Sequence, residues 1–127
     1  MINTNKKLLK QEFQKRIYHY ILRLVKFLSK LPRTPVIREI VSQLMRSGTS
    51  IGANYFEARG ASSKRDYQNF FTHCLKSANE TLFWLVIMRD AGLVSGPLIN
   101  ECNWLFTETK ELARIFASSI LTMKGKR

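Results

Sequence analysis

Arg16, His19, Arg23, Lys26 and Lys30 recur at steps of three, four, three and four, so on a helix they form one cationic stripe about 21 Å long. The chemistry open to such a stripe is charge neutralisation. Guanidinium and ammonium groups laid along phosphates release condensed counterions, which gives affinity without base reading and a steep dependence on salt. Tyr18 and Tyr20 lie in the same stretch and offer rings for stacking on unpaired bases. The wider charge distribution points the same way. Net charge is +12: residues 1–33 hold nine Lys or Arg against one acid, Glu12, residues 34–123 hold nine against eight, and Lys124, Lys126 and Arg127 follow. With so few acids nearby, the stripe is expected to have few internal partners. The plainer reading is a solvated face that keeps a small basic protein soluble. An anionic membrane would attract the same cations, but the apolar face beside the stripe is needed by the core, so no membrane partner is expected.

Covalent and metal chemistry find no comparable support. Di-metal sites in helical bundles use inward glutamates with Glu-x-x-His on two helices, whereas Arg16 stands three residues before His19 and Phe70 three before His73. His73, expected to be partly buried or at an interface, adjoins Cys74, but neighbouring helix positions point about 100° apart and do not make a nucleophile and its base. The Ser-Gly-Thr-Ser-Ile-Gly tract at 47–52 falls inside a helix, where its amides are already bonded and cannot cradle a phosphate. Cys74 and Cys102 lie on apolar faces at no metal or redox spacing, as reduced core residues do. No catalytic residue, metal, cofactor or small-molecule substrate is expected; the chain reads as non-enzymatic.

The elements that position these groups are helices. A length of 127 residues suits a single domain with one core. Leu9, Phe13, Ile17, Ile21, Leu24, Leu28 and Leu31 recur at helical steps, predicting a helix over 6–31 that Pro32 and Pro35 bring to a stop. Pro35 then opens a helix over 35–59 with Gly60 as its C-cap. Ser62, Ser63 and Asp66 resemble a capping sequence for a helix over 63–90, and Ser95-Gly96-Pro97 restarts the chain for a helix over 96–123. Nothing reads as a strand. Short connections join antiparallel neighbours, so the fold class is all-α, an up-down-up-down four-helix bundle. Both chain ends and the second connection then share one end, which gathers Lys6, Lys7, Lys10, Arg59, Lys64, Arg65, Lys124, Lys126 and Arg127 into a basic pole. The longest apolar run, residues 82–88, is far short of the roughly 20 needed to span a bilayer, and the N-terminal stretch lacks the pattern of a secretory signal. The cytoplasm is the expected location.

Two segments carry more apolar or small surface than one bundle layer explains. Gly48 and Gly52 sit four apart in mid-helix at a cost of roughly 1 kcal/mol each relative to Ala, which close packing against a neighbouring helix accounts for. The run LFWLVIM at 82–88 covers every face of its helix, whereas a bundle helix needs one stripe. A homo-oligomer that buries the outward members is therefore expected, with Phe83 and Trp84 as anchors and Ile87 beside them.

RSGTSIGANYFEAR at 46–59, then SKRDYQNFF and LKSANETLFWL, with the LPRTPV turn and the later ELARIFASSI, resemble the four-helix-bundle family of 23S rRNA intervening-sequence proteins (S23-like). The resemblance covers the whole chain and implies an antiparallel bundle that often assembles as a five-membered ring. It extends in fold to the accessory protein of diversity-generating retroelements, a basic ring that works with nucleic acid. Arg46, Ser47, Ser50, Asn54, Glu57, Asn79 and Glu80 match polar positions of the family. As a site, Arg46, Asn54 and Glu57 would line a groove. As architecture, the favoured reading, Ser47, Ser50 and Asn54 bond across a close helix contact while Arg46 pairs with Glu80 or Glu57. Phe56 departs from the pattern beside this seam. The expected function is an oligomeric, RNA- or nucleic-acid-binding accessory protein; the alternative is a protein-interaction scaffold whose charge serves solubility or an acidic partner.

Overall fold

The computed structural model describes residues 2–125, with side chains over 5–125. Four helices follow one another: α1 (Ile2–Ser29), α2 (Pro35–Arg59), α3 (Lys64–Asp90) and α4 (Pro97–Met123). Among the described residues there is no strand.

The helix ends have local causes. Thr34 accepts the Ile37 N–H on its Oγ1 at 3.3 Å, and Pro35 takes the first position of α2, where its missing N–H costs nothing. At α3, Ser63 Oγ accepts the Asp66 N–H at 3.1 Å, while the Asp66 carboxylate accepts from the Ser62 N–H at 3.2 Å. Gly60 is the C-cap of α2 with φ −99°, a conformation open to any residue. Gly92, past the end of α3, is left-handed at φ +71°. Its N–H reaches Arg89 O at 3.1 Å and that of Leu93 reaches Met88 O at 3.1 Å, the doubly bonded cap for which glycine is selected.

Each helix packs on its sequence neighbours, and α1 closes against α4, so the four form a square antiparallel bundle. The closest approach is α2 to α3. Small side chains permit it: Thr81 Oγ1 lies 3.0 Å from Ser47 Oγ, Cys74 donates its S–H to Ile51 O at 3.5 Å, and Ala78 is fully buried between them. The two glycines pack close against a neighbouring helix, as their spacing predicts, and that helix is α1. They face α1 as sockets for its side chains: a Cβ at 48 would overlap Leu24 Cδ2, and one at 52 would stand 3.3 Å from Ile21 Cγ1. Helix α1 stands further off and fills the gap with Ile17, Tyr20, Leu24 and Phe27, all buried.

An aromatic cluster closes the core at one end. Phe13 meets Tyr55 edge-on at 5.2 Å between ring centres, Tyr67 lies 4.7 Å from Phe71, and Phe71 meets Phe116 at 5.5 Å. The run 82–88 does wrap its helix. Leu85 and Met88 are in the core, Trp84 packs half-buried against it, and Phe83 and Ile87 face outward at 55% and 37% exposure. No described helix is long and apolar enough to cross a membrane.

Candidate nucleic-acid interface

The cationic stripe on α1 is built differently from its sequence expectation. Arg16 donates from Nε and Nη2 to the two Glu108 oxygens, each at 2.8 Å, and Arg23 reaches Glu101 in the same fork at 2.9 and 2.8 Å. The Arg23 guanidinium also lies 3.5 Å above the Trp104 ring. The Arg23 fork is the main cause holding the Glu101 carboxyl below its ordinary range, and each arginine is correspondingly raised by its glutamate. The expectation of few internal partners is thus corrected: α4 supplies two carboxylates at the same seven-residue spacing as the two arginines. His19, Lys26 and Lys30 remain exposed. Of the two tyrosines, Tyr18 is exposed, but Tyr20 is fully buried with its hydroxyl bonded to Thr109, so it is a core residue and not a stacking platform.

The basic pole does assemble. Lys10 from α1, Arg59 from α2, and Lys64 and Arg65 from α3 line one open cavity of about 1000 Å³ whose lining contains no carboxylate. Lys6 and Lys7 are exposed on the first turns of α1 and Lys124 caps α4, at the same end of the antiparallel bundle. Lys126 and Arg127 lie outside the described residues. Arg59 donates to Gln14, which ties α2 to α1 at the cavity's edge. The remaining walls include Tyr55, Tyr67, Gln68, Ser62 and Ser63. Burial pushes the Tyr55 and Tyr67 phenols up, so both stay protonated donors through neutral pH.

The polar residues of the 46–59 tract divide. Ser47 bonds across the α2–α3 contact to Thr81, as architecture requires. Ser50 and Asn54 do not cross it: Ser50 Oγ donates to Arg46 O at 2.6 Å and Asn54 Nδ2 to Ser50 O at 2.9 Å, both within α2. Arg46 bonds Gln43, not Glu80 or Glu57, because it lies one turn from Gln43 on the exposed flank of its own helix. Glu80 instead accepts from the Trp84 indole N–H at 3.3 Å, and Glu57 and Asn79 are exposed. Phe56 is exposed at 43%. His73 is exposed, not half-buried. Cys74 and Cys102 are free and buried, with the Cys74 thiol pushed by desolvation up to about 12. Among the described residues no group of three His, Cys, Asp or Glu is placed to hold a metal.

A family model described as 23S rRNA-intervening sequence protein matches residues 10–118. The chain belongs to that family. A crystal structure of a protein of unknown function from the S23 ribosomal protein family of Bacteroides thetaiotaomicron is similar at 30% identity, with a TM-score of 0.72, covering 84% of this chain and 96% of that one. No curated protein matches. The span shared with the 23S rRNA-intervening sequence proteins takes in the Arg–Glu forks and most of the pole cavity, and leaves Lys6, Lys7 and Lys124 outside it.

Proposed function

We propose that this member of the 23S rRNA-intervening sequence proteins is a non-enzymatic, homo-oligomeric RNA-binding accessory protein of the cytoplasm, which engages RNA through its basic pole. One observation carries this reading: Lys10, Arg59, Lys64 and Arg65 surround a cavity with no acid in its lining, so their charge is left for an outside anion. The α1 stripe contributes less, because its two arginines are spent on α4, and Lys26 and Lys30 are what it offers. Assembly, with a five-membered ring as the family resemblance implies, repeats a weakly attractive pole several times and multiplies its avidity. Exposed Phe83 and Ile87, with Trp84 at their edge, are the proposed contact between subunits.

The test is binding of a structured RNA across a salt series. Affinity is expected to fall with a log–log slope of roughly −0.9 per phosphate neutralised on duplex, and changing Lys10, Arg59 and Lys64 together to Glu is expected to abolish it at about 100 mM salt. Binding that ignores salt, or survives that triple change, leaves the proposal without a mechanism. Changing Arg16 and Arg23 is an unsuitable test, since it leaves Glu108 and Glu101 unpaired.

A further inference from the structure

We infer that the cavity at the basic pole seats a single nucleotide, its ring in the cleft between α1 and α4 and its phosphate among Lys10, Arg59, Lys64 and Arg65. This rests on the RNA-binding reading above and narrows it to one ligand chemistry. The pole cavity of about 1000 Å³ adjoins a second of about 390 Å³, and the two share Lys10, Tyr55, Tyr67, Thr122 and Met123 in their linings. One compartment is cationic. The other is apolar, walled by Leu9, Phe13, Phe71 and Ile115. Sites of this size that combine apolar walls with a few convergent polar groups are where ring-bearing ligands bind.

Tyr55 stands at the junction and gives the cavity its polar handle. The residue is only 4% exposed, with its ring held edge-on by Phe13 and packed near Phe71. It lines both cavities together with Tyr67, and Arg59 lines the larger one beside it. A rigid donor between an aromatic slot and a cluster of cations suits a ligand that carries a flat heterocycle and a phosphate on one frame. Stacking on Tyr67 or Phe13 tolerates any base, and the phosphate meets lysine and arginine donors as a charge-assisted acceptor. A nucleoside monophosphate has both parts, whether free or at the end of an RNA chain.

Calorimetric titration of the full chain at low salt tests this with adenosine 5′-monophosphate, adenosine, inorganic phosphate and octyl phosphate. The monophosphate is expected to bind at least about tenfold tighter than each of the others, the loss expected when one of two cooperating groups is removed. Tyr55→Phe removes only the hydroxyl and is expected to weaken the nucleotide by about five- to tenfold, with the melting temperature held within a few degrees; Lys10→Gln, at an exposed position, is the second variant. A hexaribonucleotide with a 5′-phosphate that competes with the monophosphate, while its unphosphorylated twin does not, assigns the ligand to an RNA end; failure of both to compete assigns the free nucleotide. Equal binding of phosphate and nucleotide, tighter binding of octyl phosphate, or indifference to both variants overturns the inference. Should a structured RNA still bind with steep salt dependence in that case, the proposed function stands and only the nucleotide site falls; should the nucleotide bind while RNA does not, the reverse holds.

Discussion

Gly48 and Gly52 are one turn apart, yet substitution at the two is expected to act in opposite directions. At 48 a methyl would overlap Leu24 Cδ2, and Leu24 is fully buried in the core, where it must shift against packed neighbours. Overpacking typically costs 1–3 kcal/mol, against roughly 1 kcal/mol of helix propensity gained, so Gly48→Ala is expected to destabilise by about 1 kcal/mol in urea titration. At 52 the neighbour is Ile21 at 3.3 Å, a half-buried side chain that can yield, and Gly52→Ala is expected to be neutral or stabilising by up to about 1 kcal/mol. Cys74 supplies a chemical check: its thiol, desolvated and raised to about 12, is expected to resist iodoacetamide at pH 8 in the folded protein and react only on unfolding, read by mass spectrometry. Some of this detail was legible beforehand. Small residues at 48 and 52 announced a contact, and the cysteines announced the core. That the neighbour was α1, with Leu24 seated over position 48, was hidden, since spacing on one helix does not say which neighbour lies opposite.

Two arginine forks join α1 to α4, and the one between Arg23 and Glu101 makes their contact pH-sensitive. The Glu101 carboxyl is lowered by Arg23, so its contribution is fully present above the unfolded glutamate value near pH 4.3 and is lost as pH falls through the lowered folded value. Glu101→Gln is therefore expected to flatten the decline of melting temperature below about pH 4.3. Because Arg23 is 44% exposed, solvent screens the pair, and a double-mutant cycle with Arg23→Gln is expected to return only about 0.5 kcal/mol, shrinking in high salt. The helices themselves were written plainly in the chain. Thr34-Pro35 and Ser63 with Asp66 start α2 and α3 where periodicity and cap chemistry put them, and the four helix bounds agree with the sequence reading to within a few residues. The forks were also there to be found: Arg16 and Arg23 are seven apart, Glu101 and Glu108 are seven apart, and antiparallel neighbours bring such pairs into register. Counting acids on α1 alone concealed them, because the partners come from the other end of the chain.

At the scale of the molecule, the square arrangement puts four cations from three helices around one opening while apolar Phe83 and Ile87 face outward on α3. If those two side chains join copies of the chain, sedimentation at micromolar concentration is expected to show a multimer, and Phe83→Asp with Ile87→Asp is expected to yield monomers that keep their helical content. A wild-type monomer at that concentration removes the assembly. The convergence of bases at the pole was readable from up-down-up-down topology alone. The cavity they surround was not, because Tyr55 and Tyr67 count as apolar positions in any periodicity. The same topology carries a practical lesson for handling the protein. A purification handle fused beyond Ile2 or Gly125 leaves from the end of the bundle that carries the cationic mouth and would obstruct it. An affinity tag spliced into the α3–α4 turn around Ser95 sits at the far end and leaves the opening clear.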